Sequence, residues 1–157
     1  MNGLEISEIK LSELERTKRI DSEFYKKENL AIKALLEKQT CETIADVASI
    51  SDGNHFGISD SFQDEGIPYY RGQDTTGNFF IEQSSPICID EESYNKGYMK
   101  RSHLKQRDVL LSIVGTVGSV SLVTTISDAT CSCKLAILRP KTINSEYLAT
   151  FLYSNFG

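Results

Sequence analysis

The 157-residue chain has no tryptophan, only two histidines and two methionines, and three prolines of which no two are adjacent. With His55 and His103 its only histidines, it excludes the His-Glu-x-x-His arrangement of zinc hydrolases. A Gly-x-Ser-x-Gly nucleophile turn and a phosphate-binding Walker lysine are also absent. No stretch of roughly 20 apolar residues occurs, so no membrane-spanning helix is expected. Met1-Asn2-Gly3-Leu4-Glu5-Ile6 lacks the basic start and apolar core of a secretory signal, and a cytoplasmic location is expected. In that compartment Cys41, Cys88, Cys131 and Cys133 are expected to remain thiols. Cys131-Ser132-Cys133 is spaced more tightly than the C-x₂₋₄-C pairs of zinc sites and reads as two small strand residues. The net charge of −5 weighs against sequence-independent binding to polyanions, which rests on many lysines and arginines.

At 39% hydrophobic and 25% charged residues the composition is that of a globular protein, and the length suits one domain burying roughly two-thirds of its unfolded surface. The most informative segment is Leu104 to Val120. Val109 to Val114 is an apolar, β-branched run broken only by Ser112, too short for a typical helix, and reads as a central strand. Gly115-Thr116-Val117-Gly118 brackets a tight reversal that returns Ser119 to Val123 as an antiparallel partner. Gly-x-x-Gly also occurs in KH-type RNA-binding loops, but those lie between helices, and both flanks here are strand-like.

Elsewhere, helical spacing of Phe24, Leu30, Ala31, Ala34 and Leu35 predicts one amphipathic helix over 22–38, capped by Ser22 or Asp21. A short helix is expected over 43–48, then an irregular polar loop over 51–61. Short strands are expected at 67–70, on an edge because of Pro68, and at 79–81, 86–89 and 136–138. A short helix is expected within 90–99. A closing helix over 145–154 is expected to be capped by Ser145 and to bury Tyr147, Leu148, Phe151 and Leu152. Together these predict a single α+β domain, a curved and largely antiparallel sheet with helices near both chain ends.

The ordered set of Gly66 to Asp74, the hairpin, Ala129 to Pro140 and the closing helical pattern resembles the target-recognition domain of restriction-modification specificity subunits, best known from type I systems. Arg19 to Tyr25 and Ile50 to His55 are similar to versions fused behind an adenine methyltransferase. The resemblance runs from Arg19 onward. It implies a lead-in over 1–20 and a recognition domain over 21–157, one half of a larger specificity subunit or a truncated one, because relatives continue beyond Phe156-Gly157. The implied function is sequence-specific binding of double-stranded DNA that directs an adenine methyltransferase and endonuclease complex. The implied partners are methyltransferase and restriction subunits, with a second recognition domain or a homodimer completing the site. No catalysis, cofactor or metal is expected of the chain itself. With only Pro68, Pro86 and Pro140, it lacks the Asn/Asp-Pro-Pro-Tyr/Phe motif of such methyltransferases, and no carboxylate and lysine cluster for metal-assisted hydrolysis is visible.

Two groups of residues are candidates for DNA contact. Asn54, His55, Ser59 and Ser61 in the polar loop, with Arg71, Gln73, Asp74, Thr75 and Asn78 after the tyrosine pair, offer the side-chain types that read base edges. Lys96, Lys100, Arg101, Lys105 and Arg107 form a stretch free of acids, in which Lys100, Arg101, His103 and Lys105 are expected to meet phosphates. Taken alone, such a stretch is more often a solvated turn. Thr130 and Lys134 stand where relatives often carry amides, and Asp90-Glu91-Glu92 is more acidic than usual there. A rival reading of the same fold is a protein-interaction or assembly module whose acidic surface docks a partner and does not read DNA.

Overall fold

The computed structural model describes residues 5–154. Asn155, Phe156 and Gly157, the end of the closing helical pattern, therefore lie outside the described residues, as do Met1 to Leu4. The chain divides into two compact units, Met1–Glu42 and Thr43–Gly157.

The first unit contains α1 (Leu11–Thr17) and α2 (Lys27–Leu36). α1 closes on Lys18 in the left-handed conformation at φ 53°. The single helix expected over 22–38 begins only at Lys27. Asp21 does cap, but it caps a turn: its Oδ1 accepts from Phe24 N at 3.0 Å, and the chain bends before the helix starts. Tyr25 is buried, its hydroxyl sharing a hydrogen bond with Thr17 Oγ1 at 2.6 Å and donating to Arg19 O at 3.1 Å. Neither helix buries a residue, so the apolar pattern of α2 marks a face of the unit and not a core stripe.

The second unit is α+β, with two mostly antiparallel four-stranded sheets where one curved sheet is expected from sequence. It opens with α3 (Ile44–Val47), held by reciprocal bonds between Thr43 and Asp46, and β1 (Ala48–Asp52). Residues 48–52 pair in register with Pro140 to Ala136, so the first part of the expected polar loop is strand. Then come β2 (Phe62–Gln63), β3 (Ile67–Tyr70), β4 (Ile87–Ile89), α4 (Glu91–Tyr94), β5 (Val109–Ser112), β6 (Val120–Leu122), β7 (Thr130–Cys131), β8 (Leu135–Pro140) and α5 (Ser145–Tyr153). The sheet orders are β1-β8-β5-β6 and β2-β4-β3-β7.

β3 is interior, not an edge, lying between β4 and β7. Its parallel pairing with β7 begins only at Tyr69, so Pro68 precedes the segment where a missing N–H would matter on that side. Phe79 to Ile81 is not a strand. Phe80 makes an isolated bridge to Leu122, and the chain coils into a 3₁₀ turn over Ile81–Gln83.

The continuous apolar reading of β5 has a physical basis, since both faces of its sheet are covered. Leu110 and Ile137 face a core with Tyr70, Ile81, Cys131 and Leu135, while Val109, Val120, Leu122 and Leu138 face Leu148 and Ala149 of α5. A third cluster places Tyr69 and Ile89 against Tyr94 and Met99. α5 is capped by Asn144, whose Oδ1 accepts from Tyr147 N at 2.8 Å, in place of Ser145. It buries Ser145, Leu148 and Ala149, while Tyr147 and Phe151 are exposed. Among the described residues no helix is long and apolar enough to cross a membrane.

Candidate nucleic-acid interface

The 3₁₀ helix Gly97–Ser102 carries the basic stretch. Met99 and Ser102 are buried and anchor it, which turns Lys100 and Arg101 to solvent. Ser102 Oγ bonds Met99 O at 2.7 Å and Thr130 Oγ1 at 2.7 Å. His103 stacks on Tyr94 at 3.8 Å between ring centres, and its Nε2 meets Tyr94 O at 2.9 Å. Burial, together with Asp128 beside its hydroxyl, pushes Tyr94 up to about 12, so it is a neutral donor to Asp128.

Three of the five cations in this stretch have acidic partners. Arg101 donates to Asp52 at the end of β1, and His55 takes the other oxygen of the same carboxylate. Lys96 and Arg107 lie 4.0 Å from Glu92 and Glu146 respectively. Among the described residues the ammonium groups of Lys100 and Lys105 make no ion pair.

The second candidate group surrounds a cleft of about 440 Å³ between the 3₁₀ turn Gly72–Thr75, the hairpin tip and the segment after β7. Arg71, Gln73, Thr116, Ser132 and Lys134 contribute polar groups, and Phe62, Tyr69 and Val114 apolar ones. Thr116 Oγ1 donates to Gly72 O at 3.2 Å and Ile113 N to Lys134 O at 2.9 Å, fastening the hairpin tip to both neighbouring walls. The tip needs its glycines for the turn itself: Gly115 and Gly118 have φ 85° and 93°, and nothing lies within 4 Å of where a β-carbon would stand.

Asp74 is buried and accepts from Arg71 N at 2.7 Å, and loss of hydration raises its carboxyl above the ordinary aspartate range. Arg71 Nε lies 3.8 Å from Asp74 Oδ2, too far for a hydrogen bond, and has no other partner among the described residues.

The segment 52–54 links the two groups. Asp52 reaches Arg101, and two residues on Asn54 bridges to Ser132 of the cleft wall. At Gly53 the backbones approach so closely that a β-carbon would collide with the carbonyls of Cys131 and Ser132. Asn54 is itself buried: its amide donates to Phe56 O at 2.9 Å and accepts from Phe56 N at 3.0 Å. Ser59 is exposed on a 3₁₀ turn, and Ser61 shares a hydrogen bond with Ser93 at 2.6 Å. Thr75 is buried and bonds Gly72 O at 2.8 Å, and Asn78 donates to Asp74 O at 3.0 Å. Of the base-reading candidates, Arg71 and Gln73 thus share the cleft, while Asn54, Asp74, Thr75 and Asn78 are bonded internally. Lys134 and Thr116 also line the cleft; the sequence marks Thr116 as part of the glycine turn and Lys134 as a departure from relatives, and neither as a neighbour of Arg71.

Two solved structures share this architecture. A chain from a structure of the type I restriction-modification system, described for its complex assembly and conformational transition, superposes with a TM-score of 0.55 at 20% identity. It matches over 91% of the present chain and 37% of its own length. The HsdS subunit of Thermoanaerobacter tengcongensis gives 0.55 at 19% identity, over 90% and 37%. The fold is shared. The present chain therefore spans little more than a third of the length of these proteins. No family model matches the sequence, and no curated protein matches it. Among the described residues no three His, Cys, Asp or Glu side chains gather as a metal ion would require.

Proposed function

We propose that the chain is a DNA target-recognition module of a restriction-modification system, a non-catalytic component that directs an adenine methyltransferase and endonuclease to its sequence. One observation carries this reading: on the fold shared with HsdS, Arg71, Gln73 and Lys134 line one cleft, and Asp52 to Asn54 connect its wall to Arg101, the neighbour of the exposed Lys100. The division of labour follows from chemistry. Lys100 and Lys105, without acidic partners, fix the duplex through phosphates, and the cleft residues read base edges. Arg101 and His103 steady the scaffold through Asp52 and Tyr94. Asn54, Asp74 and Asn78 support the cleft from within, and His55 and Ser59 lie at the exposed rim of the 52–61 segment.

The lead-in and recognition boundaries at 20 and 21, the cytoplasmic location, the methyltransferase and restriction subunits as partners, and a second recognition domain or second copy completing the site all belong to this proposal. Sequencing of adenine methylation in the source genome, with and without the gene, tests it. The reading expects one methylated motif to vanish on deletion, and an unchanged methylation pattern contradicts it. That outcome would favour an assembly module of the same fold.

A further inference from the structure

We infer that the cleft is a guanine-reading site in which Lys134 acts together with Arg71; this rests on the DNA-recognition reading above. The two cations stand on adjoining walls. A β-carbon placed on Gly72, the neighbour of Arg71, would lie 3.7 Å from Lys134 Cβ, so the missing side chain at 72 leaves the two backbones side by side. Between them the two heads have one acidic neighbour, Asp74, whose Oδ2 lies 3.8 Å from Arg71 Nε. Lys134 makes no ion pair among the described residues, and Arg71 Nε has no hydrogen-bond partner.

The one acid against Arg71, Asp74, is buried and bonded to the Arg71 backbone, so it offers no acceptor to an incoming base. The cationic side chains of Arg71 and Lys134 are hydrogen-bond donors with no acceptor. Such a surface suits the major-groove edge of guanine, which presents two acceptors, N7 and O6. It disfavours cytosine, whose N4 amine needs an acceptor, and adenine, whose N6 amine would face donors. Gln73, exposed at the rim, can both donate and accept and is suited to a neighbouring base. The rigid tip supports this role, since Thr116 and Ile113 tie it to Gly72 and Lys134 and hold both walls in place.

The test begins by selecting bound duplexes from a randomised pool with the unaltered full chain, then measuring anisotropy on the enriched sequence. Arg71→Met and Lys134→Met, both at partly or fully exposed side chains, are first checked for unchanged melting. Each is expected to relax preference at the same single guanine by roughly 5- to 150-fold, leaving the slope of log K against log salt nearly unchanged. Replacing that guanine by 7-deazaguanine, which lacks the N7 acceptor, is expected to weaken the unaltered protein and have little further effect on Arg71→Met. If Lys134→Met lowers the salt slope by about 1 while every base preference is kept, Lys134 is a phosphate contact and the guanine inference falls, with DNA reading intact. If the unaltered chain enriches no sequence at all, the DNA reading falls and takes this inference with it.

Discussion

Asp108 and Arg139 form a bidentate ion pair, Nε to Oδ1 and Nη2 to Oδ2 both at 2.7 Å, that joins the turn before β5 to β8. Asp108 is 1% exposed, and its Oδ2 also accepts from Lys105 N at 2.8 Å. Arg139 reaches on to His103 O at 3.1 Å. The hydrogen bonds to Asp108 raise the Arg139 guanidinium above its already high value, so the guanidinium keeps its charge. The carboxylate thus orders the turn that carries Lys105 and Arg107 and secures it to the sheet. Arg139→Leu leaves a buried charge half-partnered and is expected to cost about 3 kcal/mol in urea unfolding. The double variant Asp108→Leu/Arg139→Leu is expected to be less damaging than the sum of the two single changes; strict additivity would contradict the pairing.

Two glycines separate crowding from backbone strain. Gly118→Val is expected to cost about 1–2 kcal/mol, because a β-branched residue resists positive φ although the space is open. Gly53→Ala is expected to cost more despite the smaller side chain, since its β-carbon would strike the carbonyls of Cys131 and Ser132. Melting temperatures of the two variants give the order directly, and the reverse order would refute the close approach at Gly53.

Acid stability divides by carboxylate. Hydrogen bonds from Ser93 hold Asp90 below the ordinary aspartate range, and those from Thr43 do the same for Asp46. Their folded values lie below the unfolded one, so they add stability above the unfolded pKa of about 3.9 that is lost as pH falls through the folded value. Asp74 runs the other way. Its folded value is raised by burial, so its charged form costs stability that appears as pH climbs from the unfolded value through the raised one. Asp90→Asn is expected to flatten the acid limb, and Asp74→Asn to gain stability relative to the unaltered protein only above that window. Urea midpoints between pH 3 and 7 measure both effects.

Thiol reactivity follows burial. Cys41 is exposed, whereas Cys131 is fully enclosed and burial pushes its thiol well above the ordinary range. A chromogenic disulfide reagent is expected to label Cys41 quickly and Cys131 only after unfolding. Rapid labelling of Cys131 in the folded protein would contradict the packing of β7.

What was legible in the sequence was local. The β5 and β6 hairpin, β8 and the span of α5 follow from unbroken apolar runs, glycine turns and helical spacing. The split into two sheets was not legible, because it depends on β7 pairing parallel with β3 across some sixty residues of sequence. α2 starts late because Asp21 serves a turn, and composition does not distinguish a turn cap from a helix cap. Asn54 has the amide that reads adenine, yet that amide closes a turn on Phe56. The cleft escapes sequence reasoning for a related reason: Phe62, Arg71, Thr116 and Lys134 come from four separated segments. Lys134 gives no local sign that it shares a cleft with Arg71.

The central claim is that this fold reads a DNA sequence, with unpaired cations on the backbone and the cleft on the bases. The most direct measurement is fluorescence anisotropy of the full chain and of Lys100→Ala/Lys105→Ala, on a selected duplex and on its scrambled counterpart, across a series of salt concentrations. The account predicts tighter binding to the selected duplex, with each base change in it costing about 1–3 kcal/mol. It also predicts that the double variant flattens the salt slope by about 2 while the preference between the two duplexes persists. Equal affinity for both duplexes, or an unchanged slope in the double variant, would contradict it.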